Sequence, residues 1–356
     1  MTVRLRQTLT TLPAYVPGRN VEGAVKLASN ETPYPPLRHV LSRIAEAAGA
    51  VNRYPDSYST ALTGALAAKF GVSDDRVAVG CGAVSLLTQL AQAAVDPDEE
   101  VLYAWRSFEA YPILTAVCGA SSVRVPLRGY VHDLAEMAAR VTGKTRLIFV
   151  CNPNNPTGTA VRRAELVAFL HAVPSDVLVA LDEAYREFVT DPDVPDGVTL
   201  LDEFPNVVVL RTFSKAYGLA GLRVGYAIAG DPAITAALRQ TQVPFAVTSI
   251  AQQAALASLE PEAEHQLMAR VDEIVAERTR VYGGLVEMGY EVPPSEANFI
   301  WLPLGEDTAR WAAACEERKV IVRAFAGHGA RVTIGTAAEN DCFLAAASQG
   351  LQSITG

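Results

Sequence analysis

Short apolar runs alternate along this chain with longer segments whose apolar residues recur at helical spacing. Runs rich in β-branched residues predict buried strands at Val77–Val79, Val101–Tyr103, Leu147–Val150, Val177–Leu181, Val207–Leu210 and Val224–Ile228. Helical patterns lie between several of these runs, at Val84–Val95, Arg163–Ala172 and Ala233–Gln240. Strands that alternate with helices in this way are typical of an α/β domain with a mostly parallel sheet.

A change of pattern in the last third of the chain indicates a second, smaller unit. A helical repeat runs from Glu262 to Met288, and Pro293-Pro294 follows it. Further strand-like segments come after the prolines, at Asn298–Pro303, Val320–Arg323 and Arg331–Ile334. We therefore predict three parts: an N-terminal segment (1–40) that packs on the small domain, a large domain (41–275) and a small α+β C-terminal domain (276–356).

Composition and charge narrow the classes of partner. The chain has 356 residues and a formal net charge of −9, which argues against nucleic acid or anionic membranes as the main partner. The uncharged stretches Val77–Val95 and Gln240–Leu259 contain Gln with Gly or Pro, so we expect core or interface segments and no membrane span. No apolar block follows the basic N-terminus, so no secretory signal is expected.

The cysteines and histidines point to a cytoplasmic protein without a metal centre. The chain has 5 cysteines and 5 histidines, and no cysteine pair has C-x-x-C spacing. Neither a disulfide framework nor a zinc site is indicated by such scattered positions. We expect reduced thiols and no bound metal.

Chemistry-bearing residues follow the predicted strands at their carboxyl ends, where open parallel sheets bind ligands. A rigid loop with two prolines follows Leu147–Val150, and its Asn155 can donate a hydrogen bond to a ring oxygen. Asp182 follows Val177–Leu181, and a buried acid there requires a cation or donor, such as a protonated heterocycle nitrogen. Tyr185, three residues later, can reach the same site.

The other strand ends supply an amine and groups suited to a phosphate. Lys215 lies between Ser214 and small residues in an apolar setting that lowers its pKa and favours imine formation. Arg223 supplies a fixed positive charge. Gly80-Cys81-Gly82-Ala83 precedes a predicted helix start, whose N–H groups favour a phosphate. Together these parts match the requirements of pyridoxal phosphate (PLP).

Several segments resemble the signatures of fold-type I, class-II aminotransferases, and the whole chain resembles the histidinol-phosphate aminotransferase family. The first set of matching segments is Asn155-Pro156-Thr157-Gly158, Asp182-Glu183-Ala184-Tyr185 and Ser214-Lys215 with Gly221-Leu222-Arg223-Val224-Gly225-Tyr226. The second set is Ser29-Asn30-Glu31-Thr32-Pro33, Arg53-Tyr54-Pro55-Asp56, Ala297-Asn298-Phe299 and Arg331-Val332-Thr333-Ile334-Gly335-Thr336. The resemblance implies a mostly parallel central sheet flanked by helices, with a smaller α+β domain.

The resemblance also implies a role for each matching residue around the cofactor. Lys215 would be the Schiff-base lysine and carry the proton between the substrate α-carbon and cofactor C4′. Asp182 would keep the pyridine nitrogen protonated, while Tyr185 and Asn155 would bond the ring's 3′ oxygen. The phosphate would be held by Ser214, Arg223 and the backbone N–H groups of Ala83 and Val84.

Further roles concern the ring, the dimer and the substrate. Phe108 occupies the place of the aromatic ring that stacks on the pyridine. Tyr54 is expected to reach the cofactor phosphate of a partner subunit, so the resemblance implies a homodimer. Arg331 matches the residue that binds the substrate's acidic group, and Arg323 is a second candidate for the same role. Tyr15 is expected to contribute an apolar wall for the substrate.

Departures from the family pattern bear on the substrate. The phosphate turn reads Gly82-Ala83-Val84-Ser85, and the stacking segment reads Trp105-Arg106-Ser107-Phe108-Glu109. With Trp301, these features resemble the aromatic (phenylalanine) aminotransferases of actinobacteria. We therefore favour ping-pong transfer between an aromatic amino acid and 2-oxoglutarate.

Three alternatives stay open at this point. The first is histidinol phosphate as the substrate, since Arg323 and Arg331 together could bind its phosphate. The second is a PLP-dependent decarboxylase with the same site. The third is a PLP-sensing transcription regulator, which would need a DNA-binding module before the aminotransferase pattern. His328, three residues before Arg331, lies either in the pocket or on a surface loop.

Overall fold

Two β-sheets form the framework of the computed structural model, which describes residues 3, 12 and 20–355. Tyr15, a predicted substrate-pocket residue, lies outside this described part. The strands are β1 (Val25–Leu27), β2 (Val77–Gly80), β3 (Glu100–Trp105), β4 (Ser121–Pro126), β5 (Thr145–Cys151), β6 (Leu178–Asp182), β7 (Val207–Thr212), β8 (Gly225–Ala229), β9 (Phe299–Leu302), β10 (Val320–Phe325) and β11 (Gly329–Thr333).

Helices cover both faces of the larger sheet, and the last two helices of the described chain pack beside the smaller sheet. They are α1 (Arg38–Ala48), α2 (Thr60–Phe70), α3 (Ala83–Ala94), α4 (Ala110–Cys118), α5 (Leu134–Ala139), α6 (Arg163–Ala172), α7 (Pro232–Thr241), α8 (Ser249–Ser258), α9 (Pro261–Glu287), α10 (Thr308–Glu317) and α11 (Ala337–Thr355).

The larger sheet has seven strands in the order β2-β8-β7-β6-β5-β3-β4. Strand β8 runs antiparallel to its neighbours β2 and β7, and the other pairs are parallel. This arrangement brings the carboxyl ends of β5, β6 and β7 to one edge. The predicted α/β class with a mostly parallel sheet is confirmed.

Two apolar cores lie on opposite faces of this sheet because neighbouring strand residues alternate in direction. Phe149 of β5 points into the core that contains Leu86 of α3 and Tyr111 of α4. Ile148, one position earlier, points into the core that contains Leu66 of α2 and Leu166 of α6. Burial on both faces explains why the central strands are continuous apolar runs.

The smaller sheet has four strands in the order β1-β10-β11-β9. Strand β1 pairs in parallel with β10, which brings Val25 opposite Val320. Strands β10 and β11 are antiparallel, and their register places Arg323 directly opposite Arg331. The division of the chain at residues 40 and 275 stays a prediction.

Two strands were not predicted from the sequence, and each lies at the edge of a sheet. Strand β4 reads Ser-Ser-Val-Arg-Val-Pro, and all of its residues except Val125 are at least partly exposed. Strand β1 has only three residues. Edge strands of this kind lack the long apolar runs by which buried strands are recognised.

Candidate active site

A cavity of about 230 Å³ opens at the carboxyl ends of β5, β6 and β7. Most of the predicted site residues line it together: Ala83, Val84, Phe108, Asn155, Asp182, Tyr185, Ser214, Lys215, Arg223, Arg323 and Arg331. They come from loops that follow different strands and from both sheets. The fold therefore gathers side chains that are up to 248 positions apart, from Ala83 to Arg331.

Lys215 lies in the loop after β7, and its amine is buried in this cavity. Its Nζ donates a hydrogen bond to the Ser29 carbonyl oxygen at 3.1 Å and lies 5.9 Å from the Tyr185 ring centroid. Burial, assisted by the positive charges of Arg331 and Arg223, lowers the pKa of Lys215 to about 7. Near neutral pH a large fraction of this amine is therefore unprotonated and nucleophilic.

Asp182, the last residue of β6, has one satisfied and one unsatisfied carboxylate oxygen. Oδ2 accepts a hydrogen bond from the Tyr111 hydroxyl at 2.8 Å. Oδ1 is buried and has no hydrogen-bond partner among the described residues. Burial raises the pKa of Asp182 to about 6, although the Tyr111 hydrogen bond opposes the shift. A buried carboxylate oxygen of this kind requires a cationic or N–H donor from a ligand.

Tyr111 contacts the candidate site through Asp182, and the sequence did not single it out. It lies in α4 and is fully buried, stacked on Phe149 with ring centroids 4.6 Å apart and edge-on to Phe108 at 5.6 Å. Nothing near it in the sequence marks it, because its contact with Asp182 spans 71 positions and arises only when α4 packs on the sheet.

The glycine turn after β2 forms a cradle beside Arg223. Gly82 has φ of 77°, and a Cβ atom there would lie 2.5 Å from Arg223 Nη2. Only glycine allows both the backbone conformation and the approach of the guanidinium. Arg223 Nη1 also donates to Ser214 Oγ at 3.3 Å. Helix α3 starts at Ala83 with no side-chain cap hydrogen bond among the described residues, and Ala83 and Val84 line the same cavity as Arg223.

Arg331 and Tyr185 lie at the side of the cavity formed by the smaller sheet. Arg331 is buried, and it donates to Asn155 Oδ1 at 2.6 Å and to the Ala28 carbonyl oxygen at 2.8 Å. The Tyr185 hydroxyl accepts a hydrogen bond from Asn30 Nδ2 at 2.9 Å. Burial raises the pKa of Tyr185 well above its usual range, so the hydroxyl stays protonated.

Three residues that the sequence singled out lie away from the cavity lining. Tyr54 is 83% exposed and stacks on Phe245, with ring centroids 4.5 Å apart. Trp301, one of the features that resemble the aromatic aminotransferases, is buried against Phe325. His328 lies exposed in the turn between β10 and β11, so of its two alternatives the surface loop is correct.

Two structural features are absent from residues 3, 12 and 20–355. No cluster of three or more His, Cys, Asp or Glu side chains suited to a metal ion occurs within these residues. Nor does any helix in the same part of the chain combine the length and apolarity needed to cross a membrane.

Comparisons with known proteins agree with this geometry. A family model described as aminotransferase class I and II matches residues 22–346. An aromatic amino acid aminotransferase of Streptomyces avermitilis is 58% identical over 346 residues, with 96% of each chain covered. One of Thermobifida fusca is 56% identical over 347 residues, again with 96% of each chain covered. A solved structure of histidinol-phosphate aminotransferase from Sinorhizobium meliloti in complex with pyridoxal-5'-phosphate has a TM-score of 0.89 and 29% identity, covering 100% of this chain and 99% of that one.

The chain therefore belongs to the aminotransferase class I and II family. It is a PLP-dependent aminotransferase, and its substrates are amino acids and keto acids. The cavity fits that cofactor, because the unpartnered Oδ1 of Asp182 suits a protonated ring nitrogen and the Gly82 turn with Arg223 suits a phosphate. The predicted fold type, cofactor and reaction class are confirmed.

Proposed function

We propose that this enzyme transfers the amino group between an aromatic amino acid and 2-oxoglutarate. The observation that carries the proposal is the 54–58% identity to curated aromatic amino acid aminotransferases over at least 95% of each chain. The cavity supports it, since Phe108 and Leu87 add apolar surface to a lining that also contains basic residues. Histidinol phosphate is the alternative substrate, and its support is weaker.

The cofactor would be held by residues that the cavity already brings together. The Lys215 amine would hold the aldehyde carbon, Asp182 Oδ1 the ring nitrogen, and Asn155 and Tyr185 the ring oxygen. We assign the phosphate to the Ser214 hydroxyl, the Arg223 guanidinium and the N–H groups of Ala83 and Val84, and the ring face to Phe108. These roles are supported by the positions of the side chains around one cavity.

When bound, PLP supplies an aldehyde that combines with amino groups and a ring that accepts the electrons released at the substrate α-carbon. Lys215 Nζ would then act as the base at that carbon, because its pKa near 7 lets it both accept and return a proton at neutral pH. Asp182 is mostly ionised above pH 6, so its carboxylate can stabilise a protonated ring nitrogen.

Arg331 is our candidate for the substrate carboxylate. Its guanidinium donates to Asn155 Oδ1 and to the Ala28 carbonyl oxygen, and these two hydrogen bonds orient it in the cavity. A planar, oriented guanidinium is suited to bidentate binding of a carboxylate. Arg323 remains a second candidate for the substrate's acidic group, and Tyr15 remains proposed for an apolar wall of the pocket.

We further propose a homodimer in which Tyr54 reaches the cofactor phosphate of the partner subunit. Tyr54 is 83% exposed and lies outside the cavity of its own chain, which fits a role across an interface. A cytoplasmic location is also proposed, since all five cysteines are free thiols, as expected in a reducing compartment.

A comparison of two donors tests the substrate proposal. We expect keto-acid-dependent turnover with phenylalanine to exceed that with histidinol phosphate in kcat/KM on the same enzyme preparation. A preference for histidinol phosphate would overturn the aromatic assignment and leave the aminotransferase class intact. Identification of a keto acid as the product, with no carbon dioxide released, separates transamination from decarboxylation.

A further inference from the structure

Glu109 places a carboxylate on the cavity wall at the end proposed for the substrate. It immediately precedes α4, where a negative charge is favourable, but its side chain makes no cap hydrogen bond to that helix. Instead, Glu109 Oε2 accepts from Arg323 Nη2 at 2.8 Å, and both residues line the cavity. The two side chains are 32% and 15% exposed, so their charge pair is only partly screened by water.

Arg323 belongs to a group of arginines around one aromatic ring, which we call the arginine cluster: Arg106, Arg323 and Arg331. Their guanidinium carbons lie 5.2, 5.5 and 5.9 Å from the centroid of the Phe325 ring. Like charges gathered at a cavity mouth favour binding of anions there. The carboxylate of Glu109 lies against this cluster and reduces that attraction.

We propose that Glu109 is a specificity-determining residue that disfavours substrates with a second, distal anionic group. By occupying Arg323, it takes away the guanidinium that a side-chain carboxylate or phosphate would need, and it presents a like charge to that group. An uncharged aromatic side chain meets neither obstacle. Discrimination of this kind works by penalising the competitor instead of strengthening contacts with the preferred substrate. The inference rests on the aromatic substrate proposed above.

The experiment replaces Glu109 with glutamine and measures kcat/KM for phenylalanine and for histidinol phosphate. We expect the ratio of kcat/KM for histidinol phosphate to kcat/KM for phenylalanine to rise about tenfold. The reason is that a negative charge that repels the distal anion of histidinol phosphate has been removed. The kcat/KM for phenylalanine should stay within about twofold of the wild-type value, since its uncharged ring does not need the Arg323 guanidinium. The KM for 2-oxoglutarate, which also has a distal carboxylate, should fall.

The matched control is Glu99→Gln, which removes the carboxylate from another pair at the same distance. Glu99 Oε1 accepts from Arg146 Nε at 2.8 Å, with side chains 25% and 35% exposed. This pair lies next to the amino ends of β3 and β5, away from the cavity. The control should leave the substrate ratio unchanged.

Combining Glu109→Gln with Arg323→Gln should remove the gain for histidinol phosphate, because Glu109 acts through that guanidinium.

Each outcome decides one of the two proposals. If wild-type enzyme prefers phenylalanine and Glu109→Gln leaves the ratio within about twofold, while lowering the free energy of unfolding, then Glu109 is only a structural tie between α4 and β10. If wild-type enzyme prefers histidinol phosphate, the aromatic assignment fails before any variant is made. Glu109→Ala provides the same measurement should the glutamine variant not fold.

Discussion

Asp182 and Glu183 are adjacent, and both carboxylates are buried, yet their surroundings are opposite. Glu183 accepts from Arg211 Nε and Nη2 at 3.0 and 2.7 Å and from the Gly197 N–H at 2.8 Å. Asp182 accepts from Tyr111 through one oxygen, and its other oxygen lacks a partner among the described residues. Since side chains of neighbouring strand-end residues diverge, one carboxylate faces the cavity and the other faces an ion-pair network.

The contrast separates a carboxylate placed for stability from one placed for a ligand. A buried charge that is fully paired contributes to a unique fold, whereas one left incompletely paired destabilises the protein until a ligand supplies the missing partner. Burial raises the pKa of both groups, so a pKa shift by itself does not tell them apart. The hydrogen-bond partners of the two carboxylates distinguish them.

The largest expected effect comes from the other buried ionisable group of the cavity, Lys215. Replacing Lys215 with alanine should lower turnover by at least about 10³-fold, because it removes both the attachment of the cofactor and the base. The visible absorbance of the lysine-bound cofactor should disappear as well. Lys69→Ala is the control, since Lys69 forms an ion pair with Glu264 outside the cavity lining. Retention of the normal spectrum in Lys215→Ala would show that another residue holds the cofactor.

Asp182→Asn should lower kcat by about 10²-fold or more while leaving the fold intact, since the amide cannot supply the charge that stabilises a protonated ring nitrogen. Steady-state kinetics and circular dichroism of the purified variant test this expectation. Near-normal turnover would mean that Asp182 does not face the ring nitrogen.

The same variant also tests the sign of the pKa shift. Because the pKa of Asp182 is raised from 3.8 to about 6 on folding, the folded chain binds this proton more tightly than the unfolded chain. The contribution to stability is thus present at low pH and is lost as pH rises through about 6, by up to about 3 kcal/mol. In cofactor-free protein, Asp182→Asn should flatten this part of the stability profile measured by urea unfolding.

Much of the site followed from the sequence because its residues sit at strand ends, where local pattern and chemistry coincide. Asp182 was recognisable as an acid directly after an apolar run, and Lys215 as an amine between Ser214 and small residues in the loop after the next one. Tyr111 and Glu109 carry no such signal in their local sequence. Their partners, Asp182 and Arg323, are 71 and 214 positions away, so only the packing of α4 brings them into the site.

Glu183→Gln should have the opposite profile to Asp182→Asn. The change removes the buried anion that Arg211 binds through two hydrogen bonds, and we expect the free energy of unfolding to fall by about 3 kcal/mol. The kcat per folded molecule should change little, because the Glu183 carboxylate faces Arg211 and not the cavity. Urea unfolding of both variants, with active-site titration to count folded enzyme, provides the comparison. A stable Glu183→Gln variant with lost turnover would reverse the two assignments.

The smallest expected effect concerns Tyr111, whose hydroxyl is the one described donor to Asp182 from another side chain. Its hydrogen bond lowers the pKa of Asp182, so Tyr111→Phe should raise that pKa further and move the acid limb of the kcat/KM profile to higher pH. Loss of a hydrogen bond to a charged group worth about 1.5 kcal/mol corresponds to a shift of about one pH unit. Tyr103→Phe is the matched control, because Tyr103 is equally buried but donates to Ser122 Oγ at 2.8 Å. If the acid limb moves equally in both variants, the cause is a general loosening of the packing of α4. If it moves only in Tyr111→Phe, the hydrogen bond from Tyr111 sets the pKa of Asp182.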